Sequence, residues 1–283
     1  NILIRVATIM TPAADEILKD VRNGFQVWAD ETGWRVRGVT WWLWAFANES
    51  SAYYYASPSR GSPVVIQILG TVFAGVLITD CFLAYDPLTY EKSKCVGHLL
   101  RRCHTLIESG NVSAIRFSEQ AACLFRGALK LKERKATLSA HGYRVACGRL
   151  EAAFDRLLAR SYRQVDTVRF VKLLRKQRSY LFTFLYVDAV APTNNAAERE
   201  LRPAVIIRKT NGCNRSPAGA TVHAVLASVI RTAHKHGHDF VNLTKRVLQQ
   251  PLQVVVQLCS SDPAPPIVAV APIHSNPGAA SAT

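Results

Sequence analysis

Acidic residues are scarce in this chain: 20 Asp and Glu stand against 35 Lys and Arg, a formal charge of +15 over 283 residues. So large an excess favours a polyanionic partner, DNA or RNA first and an anionic membrane surface second. Long apolar runs are also missing. The longest, residues 63–78, contains Gln67 and two glycines and is too short and broken to span a bilayer. No secretory signal precedes the seven cysteines (Cys81, Cys95, Cys103, Cys123, Cys147, Cys213 and Cys259). An odd, scattered set fits reduced thiols in a cytosol better than a disulfide framework. There is no internal repeat, no Walker-type phosphate loop and no Ser-His-Asp order. The chain starts at Asn1 rather than Met, which reads as a fragment or a processed product.

What is present suffices for a real core, with 49% apolar and 19% charged residues. Thr11-Pro12 ahead of AADEILKDVRN reads as a helix start, with Asp15 and Glu16 in the first turns and Gly24 as the stop. Residues 25–36 (FQVWADETGWRV), 41–47 (WWLWAFA) and 52–57 (AYYYAS) are rich in aromatic and β-branched side chains and predict an antiparallel meander. Ser62-Pro63 opens a short helix to about Leu69. Residues 75–79 (GVLIT) form a compact strand of the buried type, with Asp80 at its C-terminal end. Together these elements predict an α/β fold with a mixed sheet flanked by helices. Residues 96–186 are helical and increasingly basic; Leu150, Phe154, Leu157 and Leu158 mark a buried face there. A further helix covers residues 220–234. After Ser260 the chain is Pro, Ala and Ser with few charges, and is expected to be disordered.

The chemistry concentrates in residues 191–216 (APTNNAAERELRPAVIIRKTNGCNRS), where Glu198 opens a helix and Arg199, Arg202, Arg208, Lys209 and Arg215 follow. An acid kept ionised beside cations suits a site that holds metal ions and phosphates together. Asp30 in the first strand and Asp80 after the buried strand are the acids able to join it. Carboxylates drawn from separate elements can bind Mg²⁺, and two such ions roughly 3.5–4 Å apart serve phosphodiester chemistry. Each acid also has a structural explanation. Asp30 with Glu31 can be ordinary edge or turn acids, Asp80 can cap a helix starting near Cys81, and Asn195 to Glu198 has capping-box spacing. Cys95, His98, Cys103 and His104 resemble half a zinc site, although Cys103 and His104 are adjacent. His234, His236 and His238 (HKHGH) fit a helix end better than a metal. Trp41, Trp42, Trp44 and Tyr53, Tyr54, Tyr55 can stack on bases, but strand alternation sends part of each run into the core.

ADETGWRV (29–36), ITDCFLAYDP (78–87), CVGHLLR (95–101) and PTNNAAERELRPAVIIRKTNGCNRS (192–216) resemble, in order, the motifs of bacterial insertion-sequence transposases of the IS66 family. The resemblance implies a ribonuclease-H-like catalytic core with a DDE metal site. By position, Asp30, Asp80 and Glu198 match the first, second and third acids, separated by 50 and 118 residues. The long second gap leaves room for a basic all-helical insertion before the last catalytic helix. The expected division is a helical lead-in over 1–24, core over 25–110, insertion over 111–186, core again over 187–250 and a tail over 251–283. The resemblance further implies Mg²⁺ (or Mn²⁺) held by the three acids, and metal-dependent cleavage and strand transfer at transposon ends and target DNA. Arg199, Arg202, Arg208, Lys209 and Arg215 would lie on phosphates, with His98, Asn194 and Asn195 as neighbours of the site. Homo-oligomers on DNA, accessory proteins of the same element, and a bacterial cytoplasmic, nucleoid-associated location without membrane contact also follow. Cys213 replaces a usual glycine, Phe82 and Leu83 replace a more polar pattern, and upstream end-binding and zinc-binding parts are not seen. A nuclease or resolvase on the same fold, and a non-catalytic DNA-binding remnant, remain the alternatives.

Overall fold

A computed structural model describes residues 2–249. The tail expected over residues 251–283 lies outside the described residues. The first helix, α1 (Ile2–Asn23), corrects one expectation: it does not start at Thr11-Pro12 but runs through Pro12. A proline inside a helix removes one i→i−4 bond and ordinarily breaks it. Here Ala7, Met10, Ala13, Ala14, Ile17 and Val21 form one buried stripe, and that packing outweighs the local signal. Thr8 and Thr11 face the helix itself, each hydroxyl donating to the carbonyl four residues back at 2.9 Å.

The meander forms as the aromatic and β-branched runs predict: β1 (Gln26–Val36), β2 (Val39–Ala47) and β3 (Ala52–Ser57) pair antiparallel. The β1–β2 turn is Arg37-Gly38, with φ of 53° and 79°. Two left-handed residues in succession match the twist of a tight hairpin, and Gly38 accepts its place without strain. Then come α2 (Ser62–Leu69), with Pro63 in its first turn, and β4 (Val76–Thr79). A 3-10 turn (Leu83–Tyr85) leads to β5 (Glu91–Lys94). The strand order is β3-β2-β1-β4-β5, with β4 parallel to both β1 and β5.

β5 has no apolar periodicity to reveal it; its sequence is Glu-Lys-Ser-Lys. Nevertheless Lys92 and Lys94 are 2% and 0% exposed. Their ammonium groups are satisfied inside. Lys92 Nζ donates to the carbonyls of Leu88 (2.5 Å) and Tyr85 (3.3 Å), and Lys94 Nζ to the Asp80 carbonyl (2.9 Å) and Thr79 Oγ1 (3.1 Å). Buried charge is tolerated because each ammonium finds two oxygen acceptors inside.

The remaining helices are α3 (Val96–Glu108), α4 (Val112–Glu133), α5 (Ala140–Ala159), α6 (Val165–Lys176), α7 (Thr183–Tyr186), α8 (Asn195–Asn211), α9 (Pro217–Lys235) and α10 (Phe240–Gln249). None of the described helices is long and apolar enough to cross a membrane. One face of the sheet (Val27, Ala29, Trp44, Phe46, Leu77) packs on α2 and the end of α1. The other face carries two clusters. Trp28, Val76 and Ile78 join the core of α3–α7, where Phe154, Leu157 and Leu158 are buried and Leu150 packs against them. Trp34, Val36, Leu43, Ala45 and Tyr54 meet Leu201, Ala204, Ala220 and Ala224 of α8 and α9. Alternation along β1 therefore presents Trp28, Asp30, Thr32 and Trp34 to the face covered by α8.

Gly75 sets β4 against β1. A Cβ there would meet the carbonyl oxygens of Gly24 at 2.4 Å and Phe25 at 2.7 Å, both backbone atoms with little room to move. Gly75→Ala is expected to destabilise the fold by about 2 kcal/mol or more, in the range of overpacking costs. Urea unfolding of the two proteins measures it.

Candidate active site

Parallel pairing sets the first two acids side by side. β1 and β4 register Trp28 against Ile78, and two residues further along stand Asp30 and Asp80. The third acid arrives with α8, whose N-terminus is tied to β1 and α3. Asn194 is fully buried; its side-chain amide donates to the Ala29 carbonyl (2.9 Å) and its backbone N–H to Cys95 Sγ (3.1 Å). The Val96 N–H donates to the Pro192 carbonyl (3.0 Å), and the Ala191 N–H to Gln26 Oε1 (3.0 Å). These four bonds seat the first turn of α8, and with it Glu198, over the strand that carries Asp30.

Two structural explanations of the acids fail. The capping box is not formed: the helix begins at Asn195, its cap residue is Asn194, and no side chain caps it. Asn194 is committed to β1, so Glu198 faces His98 instead, with Oε1 3.5 Å from His98 Nε2 and 4.0 Å from Arg101 Nη2. Nor does Asp80 cap a helix at Cys81. Its Oδ1 accepts the Phe82 N–H (2.8 Å) in a local turn, and the 3-10 turn that follows is preceded by Phe82. Glu31 separates from Asp30 by strand alternation. On the opposite face it accepts from Arg60 Nε (2.9 Å) and the Tyr85 hydroxyl (3.0 Å), and Arg60 stacks on Trp42 and Phe82 at 4.2 and 3.9 Å.

Burial pushes the Asp30 carboxyl up to about 7; the neighbouring charge of Glu31 adds to this, as do those of Asp80 and Glu198, against the Glu31 N–H that holds Asp30 Oδ1 at 2.9 Å. The three acids therefore share one electrostatic site. Two buried polar atoms nearby, Asn194 Oδ1 and His98 Nδ1, have no protein partner. A desolvated carboxyl on Asp30 with two further carboxylates in electrostatic reach offers the hard oxygen donors a divalent cation takes. Their spacing is still open: among the described residues no three His, Cys, Asp or Glu side chains are grouped to hold a metal ion.

The basic residues of α8 and its following loop divide in two. Arg199, Arg202, Lys209 and Arg215 are exposed. Arg208 is used by the protein itself, its Nη1 donating to Thr32 Oγ1 (2.9 Å) and to the Gly33 carbonyl. It covers an edge of β1 beyond the end of β4, where unpaired backbone groups would otherwise be bare. Asn195 is exposed on the first turn. The zinc-like set does not converge. Cys95 supports Asn194, Cys103 is buried in the α3–α4 core, and exposed His104 pairs with Glu108 at 3.3 Å. His236 and His238 stack on one another just past α9. Trp44 and Tyr54 are core residues.

Sequence reasoning missed Lys94. It lies behind Asp80, holds that residue's carbonyl, and has its own proton affinity lowered, first by burial. The Lys-x-Lys alternation of residues 92–94 was the available signal, but the same pattern marks many exposed strands.

With this geometry established, two comparisons bear on it. The family model described as "Transposase IS66 family" matches residues 1–222. A curated relative, "Uncharacterized protein y4qI" of Sinorhizobium fredii (strain NBRC 101917 / NGR234), is 26% identical over 297 residues, covering 94% of this chain and 54% of the relative. The chain thus spans about half the length of that relative.

Lys94→Met removes the donor to the Asp80 carbonyl and Thr79 hydroxyl, and is expected to cost about 1–3 kcal/mol of stability in denaturant unfolding. Asp30 binds a proton in the folded chain that the unfolded chain, with its ordinary value of 3.8, has already released between about pH 4 and 7. Its contribution to stability is therefore present below pH 4 and lost as pH rises to about 7. Asp30→Asn is expected to remove that loss. In chelator, its stability in denaturant unfolding should match the wild type near pH 4 and exceed it above pH 7 by on the order of 4 kcal/mol, the shift from 3.8 to about 7 converted to free energy.

Proposed function

The chain belongs to the IS66 transposase family, and on that premise we propose that it is the catalytic region of a DDE transposase, cutting DNA at the ends of an insertion sequence and joining it to a target. The observation that carries the proposal is the assembly of Asp30, Asp80 and Glu198 at one end of the sheet, two by strand register and one by the Asn194 tie. The mixed five-stranded sheet with helices on both faces supports a ribonuclease-H-like core. On this proposal the core comprises residues 25–110 and 187–250, interrupted by the basic helices of 111–186.

Asp30, Asp80 and Glu198 would hold Mg²⁺ or Mn²⁺. When bound, such ions activate a water or a 3′-hydroxyl as nucleophile and stabilise the leaving oxygen. The carboxylates do no nucleophilic work. To serve as ligands, Asp30 would have to lose the proton that burial favours and Glu198 its contacts with His98 and Arg101, while the Asn194 amide ties the first turn of α8 to β1. Arg199, Arg202, Lys209 and Arg215 provide phosphate contacts that bind backbone without reading sequence. A multimer on DNA follows from the need to join two ends, and the net charge of +15 suits a nucleoid-associated protein.

The open spacing of the three acids is the observation that favours a non-catalytic DNA-binding remnant instead. The test is strand transfer from pre-cleaved terminal-repeat DNA into a supercoiled target, with Mg²⁺ or Mn²⁺. Asp80→Asn and Glu198→Gln are each expected to lower the rate by more than about 100-fold, with DNA binding retained. Cleavage without joining indicates a nuclease. Salt-sensitive binding with no chemistry in any of the three proteins indicates the remnant.

A further inference from the structure

The β1–β2 hairpin extends past Asp30 and ends in an open cleft of about 630 Å³ lined by Arg35, Arg37, Gly38, Cys213, Asn214 and Arg215. Three guanidinium groups line it and no acid does. All three arginines are exposed, and none takes part in an ion pair among the described residues. Arg35 Nη2 reaches only the Gly38 carbonyl, at 3.2 Å.

The cleft is built rigidly, which distinguishes it from arginines scattered on a basic surface. Val36 and Asn214 form a parallel bridge. The Arg37 N–H donates to the Asn214 carbonyl and the Asn214 N–H to the Arg35 carbonyl, both at 3.1 Å. The indole of Trp34, itself 1% exposed, donates to Asn214 Oδ1 at 2.7 Å. Arg37 holds φ at 53°, the one left-handed non-glycine among the described residues. An Asn would fit this turn better than the arginine that stands there. Clustered, unneutralised cations on a backbone held by these bonds suit a polyanion.

We propose that this cleft is a phosphate-binding subsite for the DNA backbone, at a fixed distance from the three carboxylates. It rests on the proposed DNA activity and adds to it a second, remote point of grip. Val36 lies six residues beyond Asp30 on the same strand. At about 3.3 Å per residue the separation is roughly 20 Å, or about six base pairs of duplex at 3.4 Å each. The loop that supplies Asn214 and Arg215 follows α8, the helix bearing Glu198. Strand β1, and helix α8 with its following loop, thus connect the cleft to the acids, and the subsite sets how much duplex the chain must cover to hold one end.

The experiment compares wild type with an Arg35→Ala, Arg37→Asn double variant, Asn being chosen because it accepts the left-handed turn. Binding to terminal-repeat duplexes is measured from 50 to 300 mM KCl, with flanks of 4 or 12 base pairs on each side of the cleavage position. A matching Arg35→Lys, Arg37→Asn protein tests whether charge alone restores binding, and melting curves check the fold. On long flanks the double variant should lose about two from the slope of log affinity against log salt, close to one per phosphate contact. The Lys protein should recover about half of that loss. On short flanks wild type and variant should converge. An unchanged slope on long flanks overturns the subsite, as does an equal loss on both lengths, which would be a diffuse charge effect. Absence of salt-dependent DNA binding by wild type overturns the DNA activity itself, and the subsite with it.

Discussion

Like charges repel, and this fold brings Asp80 and Glu198 within electrostatic reach of Asp30 at one end of its sheet. Much of the surrounding structure answers that constraint. Register between β1 and β4 sets Asp30 beside Asp80. Asn194, buried between β1 and Cys95, fixes the helix that brings Glu198. The repulsion is relieved locally: burial and the neighbouring acids favour a proton on Asp30, while Glu198 rests near His98 and Arg101.

The positive charge of the chain serves more than one purpose. Lys92 and Lys94 are inside, where their ammonium groups hold the carbonyls of the β4–β5 connection and of Asp80 itself. Arg60 fixes Glu31 on the opposite face, between Trp42 and Phe82. Arg208 covers the edge of β1. What remains exposed on α8 and at the hairpin tip is cationic surface open to solvent. A count of basic residues therefore overstates the surface available to nucleic acid, because part of the excess is structural.

Elements with a strong local pattern were legible. The meander, α2 and β4 follow from β-branched and aromatic runs with clear turn residues, and their boundaries agree with the sequence to within about two residues, the ordinary ambiguity of element ends. Two elements were not legible. β5 lacks an apolar face because its buried side chains are lysines satisfied by loop carbonyls, which no periodicity reports. The continuation of α1 through Pro12 is a tertiary effect, since only packing of its apolar stripe offsets the lost hydrogen bond. The same holds for the acids. Capping spacing at Asn195 to Glu198 was a sound local reading, and it lost to a long-range bond between Asn194 and Ala29.

By itself, the sequence determined the residue chemistry and its order: an acid within the first strand, an acid after the buried strand, and an acid at a helix start followed by arginines. Those follow from composition and local pattern, which short-range sterics and hydrogen bonding decide. Only the tertiary structure decided which groups share a site, which cations are consumed in holding the fold, and that Arg35 and Arg37 meet Arg215 across 178 residues of chain from Arg37 to Arg215. Those are contacts between residues far apart in the chain, set by strand register and helix packing, and no local pattern encodes them.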